Sequence, residues 1–290
     1  MMIENYKELR KYGILGEDIH RAEYEHRFMA ENTFVTDFLM KGSPAFFTIC
    51  PEVVSLLDDI REIDREISAC LVTENMLNGR GREILTNKIA GIRCTREEAL
   101  QAVYEFGYAP RFGCLAERYF RIADGSRMVP ETCLELRGLY DTYVLPEVLA
   151  VNPNGTPDGK LFRKCRCGVM DARGETIYDG VTPENMITES MQTALDFLNG
   201  DAADALCRAA VFHFMFGYVY PFYDGNGRFG RLLLSSTLAE AISPLAACRI
   251  TTTIGNNIRA YNAAFRECED PMNMGDLTPF LIMMLKLVRT

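Results

Sequence analysis

Nothing in these 290 residues approaches the run of about 18 apolar side chains that a membrane-spanning helix requires. The first ten residues, Met1 to Arg10, also lack the apolar centre of a secretory leader. A cytoplasmic protein is expected. There is no cationic excess either: the formal net charge is −9, which excludes a sequence-independent nucleic-acid binder, because such a surface must be basic to displace counterions. A mononucleotide needs only a local basic pocket and stays open. The ten cysteines include no CxxC pair, so reduced core thiols are expected rather than a disulfide framework or a zinc site. Cys165-Arg-Cys167 is the one close pair, and the sequence places no two further ligands beside it. Internal repeats and low-complexity tracts are absent, as is the GxxxxGK(S/T) string of a Walker-type phosphate loop.

What remains is a chain of ordinary globular composition, long enough for a substantial core and mostly patterned as helix. From Pro51 to Leu77, Val54, Leu57, Ile60, Ile63, Ile67 and Leu71 recur at three- and four-residue steps. Thr95-Arg-Glu-Glu98 has the form of a capping box opening a helix to about Phe106. Further helices are predicted across Thr132 to Tyr143 and across Pro183 to Leu198, the second with Thr182 as cap and Pro183 at its first position. Asp204 to Val219 is apolar on nearly every side and belongs at the centre of a helical domain, and Leu232 to Ile242 is similarly apolar. Between Asn152 and Gly180, two short extended segments around Asp171-Ala-Arg-Gly174 predict a small β-hairpin.

Between the two apolar helices lies Tyr220-Pro-Phe-Tyr-Asp-Gly-Asn-Gly-Arg-Phe-Gly-Arg231. Gly225 and Gly227 let the backbone turn its N–H groups toward an anion, and the loop runs into a helix whose N-terminal dipole favours negative charge. Asp224 offers an acceptor for a hard cation, and Asn226 a neutral donor. Arg228 and Arg231, three apart, project from one face of the first turn. These residue types together suit a polyphosphate with magnesium.

The same twelve residues resemble the motif of the Fic (Fido) family, HPFx(D/E)GNGRxxR, complete except that Tyr220 stands where the family has histidine. The resemblance implies a mainly α-helical fold, a Fic-like helical bundle core with a small β-hairpin flap, over residues 95–290. Residues 1–94 would form an N-terminal helical extension. Gly159-Lys-Leu-Phe-Arg163 resembles the strand entering the flap, and His213 sits at the place of a structural histidine. The implied activity is protein adenylyltransferase, moving AMP from ATP to a hydroxyl of an unknown target protein, with ATP and Mg2+ as cofactors. The family's residues carry over as follows: Asp224 holds magnesium, Gly225, Asn226 and Gly227 the phosphates, Arg228 the α- and β-phosphates, and Arg231 the γ-phosphate. Tyr261 borders the nucleotide pocket, and Asn273, in Asn273-Met-Gly-Asp, contacts adenine. Cys70-Leu-Val-Thr-Glu74-Asn75 resembles the family's inhibitory motif, which pairs Glu74 with Arg231. A second copy of the chain is a further partner left open.

Tyr220 bears on how much of this chemistry survives. A phenol, with an ordinary pKa near 10, is ionised to only about one part in a thousand at pH 7 and is a poor general base. Impaired transfer is expected, and a catalytically silent nucleotide-binding or interaction module is the alternative.

Overall fold

The computed structural model describes residues 14–70, 97, 101, 112–126, 129–170 and 176–290. Eleven helices and two hairpins lie within them. In chain order these are α1 (Ile14–Phe28), β1 (Thr33–Met40), β2 (Ser43–Thr48), α2 (Pro51–Cys70), α3 (Gly113–Ala123), α4 (Cys133–Tyr143) and α5 (Leu145–Val151). Then follow β3 (Gly168–Met170), β4 (Thr176–Asp179), α6 (Glu184–Asn199), α7 (Ala205–Val219), α8 (Asn226–Leu238), α9 (Pro244–Asn256), α10 (Ile258–Glu269) and α11 (Thr278–Arg289).

Helix α7 is the axis of the core, as its all-round apolarity demands. From Leu206 to Phe216 it buries every residue except Arg208, and it packs against α6, α8 and α11. Asp204 starts it by accepting from the Leu206 N–H at 2.9 Å. α4 begins with the capping box Thr132/Glu135. Helix α6 starts at Glu184, one residue later than the sequence suggests, with Pro183 at the N-cap and no side-chain cap. α8 starts at Asn226, inside the glycine loop. The helix expected from Thr95 lies largely outside the described residues, as does the stretch beyond Cys70.

The predicted flap hairpin is present as β3 and β4, with its first strand shorter than the extended segment suggested. A second hairpin, β1–β2, stands in the N-terminal stretch expected to be helical only. Lys41 and Gly42 both adopt positive φ, 50° and 90°, which is the two-residue turn that matches strand twist. This hairpin is sewn to the far end of the chain. The Phe46 N–H donates to Gly275 O at 2.9 Å, the Leu277 N–H to Phe46 O at 2.7 Å, and Arg27 pairs with buried Asp276 at 2.7 Å. Gly275 is required at φ 87°, because a Cβ there would lie 2.5 Å from Pro44 O.

Candidate functional site

The loop between α7 and α8 is held from three sides. Tyr220 ends α7 in the left-handed conformation at φ 52°, its N–H bonded to Phe216 O at 3.0 Å. Arg163, fully buried and with no carboxylate in ion-pair distance among the described residues, donates through Nε to Tyr220 O at 2.8 Å and through Nη2 to Val181 O at 2.8 Å. Its Nη1 reaches Cys165 O at 2.8 Å, so one guanidinium ties the flap base to the motif. Phe222 stacks on Tyr140 of α4 with ring centroids 3.6 Å apart, and the Tyr140 hydroxyl donates to Asp224 O at 3.0 Å.

Asn226 closes the loop on itself. Its Oδ1 accepts from the Phe222 N–H at 3.0 Å and its Nδ2 donates to Phe222 O at 2.7 Å. The amide expected to meet phosphate is therefore first a structural clasp. Gly225, at φ 78°, lies against α5, where a Cβ would come within 2.6 Å of Val144 Cγ1. Gly227 lies under the Arg231 guanidinium, its built Cβ 3.3 Å from Nη1.

The two motif arginines differ. Arg228 points to α5, donating to buried Glu147 at 2.8 Å and lying 3.4 Å from Asp224. Arg231 lines an open groove of about 250 Å3 and has no carboxylate within ion-pair distance among the described residues. The floor of the groove is Gly217, Tyr220, Asn226, Gly227 and Gly230, and Val169 and Tyr178 of the flap form one wall. The other wall is a stripe of α10: Ile258, Tyr261, Asn262, Phe265, Arg266 and Glu269, spaced three and four apart.

His213 lies beneath this floor. Its Nδ1–H donates to Gly230 O at 3.1 Å and its Nε2 accepts from the Tyr261 hydroxyl at 2.8 Å. Burial, with Arg231 nearby, pushes its pKa down to about 3, so it is a neutral brace between α8 and α10. Tyr220 is pushed the other way. Burial raises its pKa, Cys167 and Asp224 add to the shift, and Asn226 and Arg163 only partly oppose it. The phenol is held protonated.

Asp224 is half exposed, with its side chain 52% accessible; its Oδ1 accepts from the Gly225 N–H and lies 3.4 Å from Arg228 Nη2, so Oδ2 is the oxygen that could meet a cation. No group of three or more His, Cys, Asp or Glu gathers among the described residues. A single open carboxylate beside anion-binding N–H groups fits magnesium delivered with phosphates, which needs only one or two protein carboxylates. Asn273 is not brought to the groove. It is buried in a 3-10 turn after α10, donating to Cys268 O and Asp276 O. Glu74 lies outside the described residues. Glu147, Arg163, Tyr140 and Glu269 were not legible as site residues; the α10 stripe, at helical spacing, was the one available signal.

Residues 152–238 match the model of the Fic/DOC family. The chain is 32% identical over 107 residues to protein adenylyltransferase fic-1 of Caenorhabditis elegans, a match covering 36% of this chain and 19% of that protein. It is 33% identical over 89 residues to a probable protein adenylyltransferase of Aquifex aeolicus, covering 30% and 26%. The chain thus aligns with about a fifth to a quarter of these relatives' lengths. In fold it is similar to a Fic family protein from Desulfovibrio desulfuricans G20, with a TM-score of 0.61 at 23% identity over 83% of this chain and 73% of that one. The segment that resembles the Fic/DOC family contains the flap, the axis helix α7, the glycine loop and α8.

Proposed function

We propose that this chain binds ATP with magnesium in the groove between flap and α10, as a protein adenylyltransferase of Fic type whose transfer step is impaired by Tyr220. The observation that carries the reading is the glycine loop itself: a clasped turn opening into the N-terminus of α8, with the Arg231 guanidinium above Gly227 and no ion pair to it among the described residues. Gly225 and Gly227 would present N–H groups to the phosphates, and Arg231 would neutralise their charge. Tyr261 would border the ribose or base. Magnesium, held by Asp224 and phosphate oxygens, would supply charge neutralisation for the departing pyrophosphate. Arg228, occupied by Glu147, would shape the loop rather than grip phosphate directly.

Tyr220 stands where a base must take the proton of the target hydroxyl, and burial keeps it protonated. This favours, as a second reading, a module that binds the nucleotide without transferring it. Glu74 would oppose productive binding by reaching Arg231 from the stretch after α2. The target would be a hydroxyl-bearing side chain of another protein, met in the cytoplasm; no described helix is long and apolar enough to cross a membrane.

Transfer of label from α-labelled ATP, measured with calorimetric binding on wild type and Glu74→Gly, tests the proposal. Binding with slow transfer that Glu74→Gly accelerates is expected. Absence of Mg-ATP binding in both proteins would overturn it.

A further inference from the structure

Among the described residues, Glu269 is the one carboxylate in the lining of the groove. It ends α10 eight residues beyond Tyr261, about 12 Å along the helix at 1.5 Å per residue. Arg231 acts on Tyr261 and His213, whereas Glu269 acts on Tyr178 and Tyr218 as well as Tyr261, so the guanidinium and the carboxylate mark opposite ends of the groove. Among the described residues no side chain bonds the Glu269 carboxylate. Only its backbone carbonyl is engaged, by Lys41 Nζ at 3.0 Å. Between the two ends the lining is aromatic, with Tyr178, Phe216, Tyr220 and Phe265. An anion-binding end, an aromatic middle and a carboxyl group at the far end, with Arg266 one turn before it, match the phosphates, the π-face and the pairing edge of a nucleotide.

We propose that Glu269 reads the pairing edge of the base seated in this groove and selects adenine, its carboxyl group pairing with ring nitrogen N1 and the 6-amino group. The inference rests on the nucleotide-binding reading given above. A protonated carboxyl offers one donor and one acceptor, which complements adenine: its O–H donates to N1 and its C=O accepts from the amino group. An ionised carboxylate offers acceptors only, which meets N1 lone pair to lone pair but suits guanine, whose N1–H and 2-amino group both donate. The groups facing Glu269 are Lys41 from the β1–β2 turn, Tyr178 from β4, Tyr218 from α7, and Tyr261, Arg266 and Cys268 from its own helix. Burial outweighs Lys41 and Arg266 and lifts the carboxyl pKa to about 7. The preference for adenine over guanine is therefore strongest below pH 7 and fades above it.

Dissociation constants of Mg-ATP and Mg-GTP, measured at pH 6 and pH 8, test this on wild type, Glu269→Gln and Glu269→Ala. The ratio of the two cancels the titration of the phosphates. The wild-type preference for ATP should fall about tenfold between the two pH values, the scale of one well-placed bidentate pair. Glu269→Gln, a permanent donor and acceptor, should keep its preference at both, and Glu269→Ala should show little preference at either. Equal, pH-independent ratios in wild type and Glu269→Ala would overturn the inference while leaving nucleotide binding standing. Binding of neither nucleotide by wild type or Glu74→Gly would overturn both.

Discussion

At the residue scale, Tyr220 differs in chemistry from the histidine of the motif it resembles. It caps α7, its carbonyl is held by Arg163, and its ring lines the groove. His213 cannot substitute. Both ring nitrogens are engaged beneath the floor, and its low pKa leaves no proton affinity to use at pH 7. Tyr220→His should therefore raise AMP transfer by about 10²–10⁴-fold, the usual worth of a general base. Single-turnover transfer from α-labelled ATP in a Glu74→Gly background measures it; rates equal to those with tyrosine would show that the phenol suffices.

At the scale of elements, the site is a joint of helices α4, α5, α7, α8 and α10 with the flap. The arginines of the GNGRxxR segment, one turn apart on α8, have parted company: Arg228 is bound to α5 through Glu147, and Arg231 is left to the groove. Their variants should separate accordingly. Arg228→Ala removes the ion-pair partner at 2.8 Å from the Glu147 carboxylate, whose side chain is 4% exposed. It should lower unfolding stability by about 3–5 kcal/mol, as removal of one partner of a buried pair does. Arg231→Ala breaks no ion pair among the described residues and should leave stability within about 1 kcal/mol while weakening Mg-ATP binding. Urea denaturation alongside calorimetry checks both, and the reverse pattern would reassign the two residues. The spacing of three identifies one helical face, but it could not say that α5 would bring a carboxylate to one of them.

At the scale of the whole molecule, pH acts in opposite senses through buried His213 and half-buried Glu269. His213 titrates near 3 when folded and near 6.5 when free, so the stability it contributes is full above about 6.5 and is lost as pH falls toward 3. Glu269 titrates near 7 when folded against 4.5, so its contribution is full below 4.5 and is lost as pH rises through 7. Between about 4.5 and 6.5 the two oppose each other, and the wild-type profile alone is flattened. The variants should separate them. From pH 6.5 to pH 4, wild type should lose about 3 kcal/mol more than His213→Gln, and at pH 8 Glu269→Gln should exceed wild type by about 1–3 kcal/mol. Denaturation midpoints across pH 4–8 give both differences.

The chain's local order was decided by its sequence. All-round apolarity makes α7 a central helix, Thr132 and Glu135 start α4 by capping each other's N–H groups, and Gly225 supplies the positive φ that begins α8. These depend on residues within a few positions of one another, and so does the turn of the twelve-residue loop. The β1–β2 hairpin was legible in principle from Lys41-Gly42 between alternating strands, yet its register against Gly275 and Leu277 depends on partners more than 200 positions away. Tertiary structure alone decided that Asn226 is a clasp, that Arg228 belongs to Glu147, that Asn273 stays under its own turn, and that Glu269 closes the end of the groove. Each of those outcomes depends on which distant element arrives to satisfy or desolvate a polar group, and no local spacing encodes that arrival.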